Sequence, residues 1–506
     1  MNAHNSNVAE NKQREIWFLT GSQHLYGEET LEQVARNSRQ IVESLDGSGK
    51  LPAKVVWKPT LTGPDAIETV CLEANAAPEC AGVITWMHTF SPAKMWIAGL
   101  TRLQKPLAHL HTQFNRELPW GDIDMDFMNL NQSAHGDREY GFIGARLRLH
   151  RKIVVGHWQD AEVLDELAGW ARSALAIAES RKLKIARFGG MNMREVAVTG
   201  GDRVGAQIAL GWSVNGYAMG DLVGPIADVS EVAVNELVQE YEEVYTLAAA
   251  VRKGGPKHDS VRYAARQEIA LRDFLVAGGF GAFTTTFEDL HGMKQLPGLA
   301  CQRLMGQGFG FGAEGDWKTS ALVRLGNVMT AGRRGGVSFI EDYTYHLVPG
   351  KERVLGAHML EVSPSIAEGK PSLEVHPLGI GGKADPARLV FDAKAGPAVN
   401  TTLVDMGGRM RMIVAELDVV KPEPMPKLPT ARAVWIPRPD FKRGCQAWIE
   451  AGGAHHAAFC QAVTSTEWED FARIAGLEVV RIGPGLDIRT LQNELRWNDL
   501  AFKLGA

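Results

Sequence analysis

The first third of the chain alternates short apolar runs with segments of helical periodicity. The apolar runs are EIWFLT, AKVVWKP, AGVITWM and PLAHLHT, and between them lie ETLEQVARNSRQIVESL, PDAIETVCLEANA and SPAKMWIAGLTRL. This alternation predicts a parallel, doubly wound sheet with helices on both faces. Ligands of such sheets bind beyond the carboxyl ends of the strands. The loop GSQHLYG (21–27), which follows the first run, is therefore a candidate binding loop.

Two further parts follow along the chain. A second α/β block begins near LKIARFGG, and from about residue 335 the pattern changes to short strands separated by Gly, Pro and Asp turns. Such strands predict an antiparallel sheet or barrel. We therefore expect an α/β protein with two N-terminal doubly wound domains, residues 1–182 and 183–334, and a β-rich, barrel-like C-terminal domain, residues 335–506.

Composition excludes several classes of protein. The 506 residues carry a net charge of −5, so no basic excess points to nucleic acid or an anionic membrane surface. The polar start lacks the apolar run of a signal peptide, and no stretch of about eighteen apolar residues predicts a membrane span. Five scattered cysteines without a C-x-x-C pair fit reduced thiols. We expect a cytoplasmic protein with neither a nucleic-acid nor a membrane partner.

The glycine-rich stretch GQGFGFGAEGDWK (306–318) has two interpretations. It satisfies the dinucleotide pattern G-x-G-x-x-G, but no clear buried strand precedes it, and Glu314 would stand where a pyrophosphate approaches. The favoured interpretation is a flexible backbone that brings Glu314 and Asp316 close to a ligand. Asp316 is also suited to cap the helix that follows.

Glu341 lies in the predicted strand of GGVSFIEDYTYHLVPG (335–350). Strict alternation would give it a face shared with Phe339, Tyr343 and Tyr345, while Asp342 points to the opposite face. A carboxylate among aromatic rings loses hydration and needs a compensating partner.

Three histidines are candidates for that partnership. His358 is predicted to lie in a strand and taken alone would be a core histidine, whereas His455 and His456 follow two glycines among small residues. Two glutamates with two imidazoles suit a divalent ion of the Mn²⁺ kind better than a structural zinc site. The pattern does not choose between His455 and His456.

The chain closely resembles the family of bacterial L-arabinose isomerases over nearly its whole length. The matching stretches, in order, include GSQHLYG, HTFSPAKMWI, HTQFN, PWGDIDMDFMNLNQSAHG, NMREVAVT, GAFTTTFEDLHGMKQLPGLA, GAEGDWKTSAL, EDYTYH, GAHMLEVSPSIA, LGIGGKADPARLVF and AGGAHHAAF.

The resemblance implies a fucose/arabinose isomerase-like fold and a set of site residues. The implied metal ligands are Glu314, Glu341, His358 and His456, for one Mn²⁺ per subunit with Co²⁺ or Mg²⁺ as possible substitutes. The implied substrate contacts are Gln23, Leu25, Met193, Phe287, Ile380, His455 and, from a neighbouring subunit, His135. A homo-oligomer, either a trimer or a dimer of trimers, is also implied.

The implied reaction interconverts L-arabinose and L-ribulose, with D-galactose to D-tagatose as a side activity. We expect a metal-stabilised cis-enediol, with Glu314 and Glu341 as the acid–base pair, Asp316 in support, and the order of base and acid left open. We expect the aromatic face of Glu341 to exclude water from the site. The alternatives are a fucose-type isomerase, a non-catalytic sugar-binding protein and a nicotinamide dehydrogenase.

Overall fold

The computed structural model describes residues 11–190, 192–379 and 382–505. Residue contacts divide them into two compact units, one ending at Ala178 and the other beginning at Glu179. Across these described ranges, no helix is both long enough and apolar enough to cross a bilayer.

The first unit is a doubly wound α/β fold. Its strands are β1 (Glu15–Gly21), β2 (Lys54–Trp57), β3 (Cys80–Met87), β4 (Leu107–His111) and β5 (Lys152–Val155). Its helices are α1 (Gly27–Gly47), α2 (Pro64–Ala76), α3 (Ile97–Arg102), α4 (Met125–Leu130), α5 (Ser133–Arg146) and α6 (Ala161–Ser180). The strands are parallel in the order β2-β1-β3-β4-β5, and β3 is buried along its whole length because helices cover both faces. The predicted doubly wound sheet is confirmed.

The second unit begins with a smaller parallel sheet. The strands of the sheet are β6 (Lys184–Phe188), β7 (Ser213–Tyr217), β9 (Ala282–Thr285) and β10 (Gly310–Gly312), and the short strand β8 (Thr246–Leu247) of the same region lies outside it. The helices of this region are α7 (Arg203–Leu210), α8 (Gly220–Asp228), α9 (Glu231–Val244), α10 (His258–Gly278), α11 (Gly298–Gly306) and α12 (Trp317–Thr330). The sheet order is β10-β9-β6-β7, so the chain leaves β9 and β10 at the same edge.

The glycines of β10 allow α12 to pack closely on the strand. A Cβ atom on Gly310 would overlap the carbonyl oxygen of Ser320, and one on Gly312 would overlap that of Asp316. Packing therefore explains the glycine-rich stretch without a nucleotide.

The rest of the second unit is β-rich. Its strands are β11 (Val337–His346), β12 (Arg353–Ala357), β13 (Ser372–Val375), β14 (Ala387–Val390), β15 (Gly396–Asp405), β16 (Met410–Val420), β17 (Arg432–Pro437), β18 (His456–Cys460) and β19 (Glu478–Ile482). Its helices are α13 (Phe441–Glu450), α14 (Ser465–Ile474) and α15 (Ile488–Lys503).

Six of these strands form a closed antiparallel ring. Its order is β15-β18-β11-β12-β17-β16, and pairing between β15 and β16 closes it. β19 pairs with β16 in parallel, and β14, β13 and β8 form a separate small sheet. The predicted β-rich, barrel-like part is thereby confirmed.

Candidate active site

Five side chains that the sequence singled out converge in the second unit: Glu314, Glu341, His358, His455 and His456. Sheet register explains most of this convergence. Glu341 of β11 pairs with His456 on one side and with Ala357, the residue before His358, on the other. Glu314 comes from the turn between β10 and α12. The expectation that His358 lies within a strand is wrong, because β12 ends at Ala357 and His358 opens the turn that follows.

Distances show how closely these groups approach one another. His455 Nε2 lies 3.4 Å from Glu314 Oε2 and 3.7 Å from Glu341 Oε1, between the two carboxylates. His456 Nε2 is 3.6 Å from Glu314 Oε2, and His358 Nε2 is 3.9 Å from Glu341 Oε2. The two carboxylates therefore face three imidazoles across one small polar cluster.

The backbone of Glu314 is held in an unusual conformation. Its φ of 59° lies in the left-handed region, which costs a residue with a side chain about 1–2 kcal/mol. Its carbonyl oxygen accepts a hydrogen bond from the amide of Met193 at 3.3 Å. The turn thus fixes the direction of the Glu314 side chain and brings the backbone of Met193 beside it.

A carboxylate behind each of two histidines orients its ring. Asp316 Oδ2 lies 3.1 Å from Nδ1 of His456, and Glu361 Oε2 lies 2.5 Å from Nδ1 of His358. Asp316 also caps α12, because it accepts the backbone N–H of Lys318 and Thr319 as the sequence predicted. In both rings Nε2 is left to face the glutamates, the arrangement in which metal-binding imidazoles are usually held.

The ionisable groups of the cluster stabilise one another. Burial alone would raise the pKa of Glu314, but the hydrogen bond with His455 and the nearby imidazoles bring that pKa below its ordinary value. Burial opposes the charged form of His358, yet Glu361 raises the pKa of this imidazole above its ordinary value. Burial would likewise raise the pKa of Asp316, whereas Lys318 and His456 lower it to about 2. Glu314 and Asp316 are therefore held in their ionised form beside the imidazoles.

A divalent cation fits this set of donors. Nε2 of His456 is fully buried and has no hydrogen-bond partner among the described residues, although an imidazole nitrogen in that position needs one. Ligand atoms of Glu314, His455 and His456 lie within 4.8 Å of one another. Two carboxylates with imidazoles suit Mn²⁺ and related ions, and the carboxylates behind the rings favour binding.

The predicted aromatic face of Glu341 is only partly present. The ring of Phe339 is buried and packs edge-on against His358 and His456, with centroids 5.0 and 4.9 Å away. Register slips between Asp342 and Thr344, so β11 bulges at Tyr343 and the alternation reverses beyond it. Tyr345 is 47% exposed and packs against Phe441. The expectation that Tyr345 encloses the site is therefore wrong. Tyr343 is also 47% exposed, but it stays near Glu341: partial burial and the charge of that carboxylate raise the pKa of its phenol.

Of the other predicted contacts in the second unit, Met193 touches the cluster and Phe287 lies at the same edge of the sheet. Phe287 begins the turn after β9, at the edge of the sheet from which the Glu314 turn emerges. Met193 contacts Glu314 through its backbone, as described above. Ile380 falls outside the described residues.

The remaining predicted contacts lie in the first unit. Gln23 Nε2 donates a hydrogen bond to the carbonyl oxygen of Phe90, whose ring stacks on His135 at 4.7 Å. Leu25 is 83% exposed. Gln23 and His135 therefore share one rim of the first unit, and Phe90 joins them.

Sequence reasoning missed two members of the site. Glu361 follows His358 by three residues, a spacing that suits a turn in which the acid reaches back to the ring. Lys318 is 1% exposed, and its Nζ donates to the carbonyl oxygens of Val198, Thr199 and Gly200. The position of Lys318 at the end of the glycine-rich stretch, where a helix begins, was the sequence feature that could have indicated its role.

This chain is similar to known proteins over nearly its whole length. Three sequence models match it in order: the L-arabinose isomerase N-terminal domain over residues 10–182, the central domain over 184–332 and the C-terminal domain over 336–478. An L-arabinose isomerase from Geobacillus stearothermophilus is 63% identical over 97% of this chain and 98% of its own length. Relatives of the same name from Herpetosiphon aurantiacus and Tolumonas auensis are 60% and 57% identical over 97% of this chain, covering 98% and 99% of their own lengths. The chain therefore belongs to the L-arabinose isomerase family and is an isomerase.

Proposed function

We propose that this enzyme interconverts L-arabinose and L-ribulose, with one Mn²⁺ held by Glu314, Glu341, His358 and His456. The observation that carries the proposal is the approach of His455 to both glutamates, at 3.4 and 3.7 Å, within a cluster whose His456 Nε2 is buried and unpaired among the described residues. When bound, the ion supplies Lewis-acid stabilisation of the negative charge that develops on adjacent sugar oxygens.

The side chains of the chain itself supply the proton transfers. Moving a carbonyl from C1 to C2 requires a proton to leave C2 and a proton to return at C1, through a cis-enediol. Glu314 and Glu341 act as the acid–base pair, because two carboxylates on one side of a sugar can serve C1 and C2 separately. His455 hydrogen-bonds Glu314 and is partly exposed, so it can contact substrate oxygens and assist ring opening.

The residues around the cluster support catalysis at this site. Asp316 and Glu361 hold the imidazoles in place, and Phe339 keeps water from one side of them. D-Galactose carries the same configuration at C2, C3 and C4 as L-arabinose, so we include its conversion to D-tagatose as a side activity.

Product identification tests the proposed reaction. The enzyme is incubated with Mn²⁺ and a panel of aldoses, and products are identified by nuclear magnetic resonance and ranked by kcat/KM. L-Ribulose from L-arabinose with the highest kcat/KM is expected; a higher value for L-fucose would point to a fucose-type isomerase. Substrate deuterated at C2 should lose part of its label to solvent, whereas complete retention at C1 would contradict an enediol with carboxylate acid–base chemistry.

The proposal includes a homo-oligomer in which His135 serves a neighbouring subunit. The segment before α5 exposes a group of apolar side chains: Leu118, Trp120, Ile123, Met125 and Met128. Trp120 is 83% exposed, which is unusual for a side chain of that size and typical of an interface. Light scattering should give a trimer or hexamer of the 55.3 kDa chain. Co-refolding inactive His135→Ala and Glu341→Gln chains should restore part of the activity; no restoration in mixed oligomers would contradict a shared site.

A further inference from the structure

A second group of potential metal ligands lies in the first unit and shares no residue with the cluster of Glu314 and Glu341. His109 and His111 are two positions apart on β4, so their side chains share one face of the strand. Asp137 reaches the same face from α5 and is buried. His109 Nε2 is 2.8 Å from Asp137 Oδ1, and His111 Nδ1 is 2.6 Å from Asp137 Oδ2. The three residues offer ligand atoms that lie within 4.8 Å of one another.

The contact between His109 and Asp137 is not a normal hydrogen bond. His109 is only 3% exposed, and neither of its ring nitrogens hydrogen-bonds to any residue in the described ranges. Asp137 Oδ1 is also buried without a hydrogen-bond partner in those ranges. Nε2 of His109 and Oδ1 of Asp137 are only 2.8 Å apart, so their lone pairs repel each other unless a positive charge lies close to both atoms. A metal ion beside the line that joins the two atoms accepts both lone pairs. Ligands of one metal ion have this relationship to each other.

We propose that His109, His111 and Asp137 bind a divalent transition-metal ion of the zinc class. Two imidazoles and one carboxylate are donors that Zn²⁺ and Co²⁺ accept, and three protein ligands leave one coordination position for water. His111 is 27% exposed at its side chain, which gives an ion a route to the site. An ion there would join β4 to α5 and stabilise the first unit, because metal binding adds to the free energy of folding.

A metal-free network is the competing arrangement. In this arrangement His111 donates a hydrogen bond to Asp137 at 2.6 Å, and the proton of the imidazole takes the place of the metal ion beside the carboxylate. The two arrangements differ in the number of ions that each chain binds.

Cobalt counting distinguishes them. The full-length protein is stripped with a chelator, equilibrated with Co²⁺ and analysed for bound metal per chain. We expect two ions in the wild type and one in Asp137→Asn, a nearly isosteric change that should weaken this site on the order of 100-fold. His150→Ala, which removes an exposed histidine of the same unit, should retain two. An equal number of bound ions in the wild type and in folded Asp137→Asn would overturn the proposal.

Two further measurements keep this result separate from the proposed reaction. A Glu314→Gln/Glu341→Gln double variant should still bind one Co²⁺ with the visible spectrum of a low-coordinate nitrogen–oxygen site, even if the active-site assignment is wrong. If Asp137→Asn fails to fold by circular dichroism, His111→Gln replaces it, because that side chain is partly exposed. Retention of the second ion by folded His111→Gln would then refute the site.

Discussion

The carboxylate of Glu361 lies 2.5 Å from Nδ1 of His358 and also accepts the backbone N–H of Leu360 at 3.1 Å. The second bond fixes the carboxylate, and the fixed carboxylate determines which way the ring can turn. Nε2 of His358 is thereby directed toward Glu341. A residue outside the predicted ligand set thus positions one of the predicted ligands.

We expect Glu361→Gln to weaken Mn²⁺ binding by about 10- to 100-fold, because the ring loses its anionic partner. At saturating Mn²⁺, kcat should fall far less than the affinity for the ion. Titration of metal-free protein with Mn²⁺, followed through activity and electron paramagnetic resonance, measures both quantities.

A matched control for that change exists in the same unit. Glu374 Oε2 lies 2.6 Å from Nε2 of His376, a histidine–carboxylate pair that does not contact the cluster. Glu374→Gln should leave the affinity for Mn²⁺ unchanged. Equal weakening by both substitutions would show that Glu361 has no special role in positioning His358.

We expect Glu341→Gln to reduce kcat/KM for L-arabinose on the order of 10³-fold or more, because the amide can neither accept a proton nor bind the ion strongly. Glu368→Gln, at an exposed glutamate, is the control and should be neutral. The measurement is steady-state kinetics at saturating Mn²⁺. Turnover by Glu341→Gln within tenfold of the wild type would exclude the role proposed for this carboxylate.

Lys318 should contribute strongly to stability. Lys318→Met leaves the carbonyl oxygens of Val198, Thr199 and Gly200 without their buried donor, and each such loss costs about 1–3 kcal/mol. We therefore expect a clearly lower thermal midpoint, measured by calorimetry at one scan rate. Lys351→Met, at an exposed lysine, should leave the midpoint unchanged. A midpoint equal to the wild type in Lys318→Met would contradict a structural role for these bonds.

Glu179 should make stability sensitive to acid. Burial would raise its pKa, but Arg324, 2.8 Å away, and Lys182 bring that pKa below the ordinary value of 4.5. A carboxyl with a depressed folded-state pKa stabilises the protein above 4.5, and this contribution is lost as pH falls through the folded-state pKa. The thermal midpoint of the wild type should therefore fall more steeply than that of Glu179→Gln as the pH is lowered from about 5 to about 3. Parallel curves for the two proteins would contradict this.

The strand pattern predicted the fold well because both sheets of the α/β parts follow from local apolar periodicity. The same periodicity did not predict that the strands of the C-terminal part form a closed ring. Closure depends on β15 pairing with both β16 and β18, and the second of these partners is more than fifty residues away in the chain. Periodicity identifies strands and leaves their distant partners undetermined.

The site illustrates the same limit at single residues. Alternation separated Glu341 from Asp342, and in the structure Glu341 faces His358 and His455. It failed at Tyr345, because a bulge at Tyr343 adds one residue to the strand and reverses every side chain beyond it. Glu361 escaped notice because a turn, which has no fixed period, brings it to His358.

Metal dependence of arabinose turnover shows whether the reaction needs the proposed ion. The protein is stripped with a chelator, verified metal-free by elemental analysis, and assayed for L-ribulose formation from L-arabinose before and after addition of Mn²⁺. We predict that the stripped protein is inactive and that Mn²⁺ restores turnover with one ion per active cluster. Full L-ribulose formation by the verified metal-free protein would contradict a metal-dependent reaction.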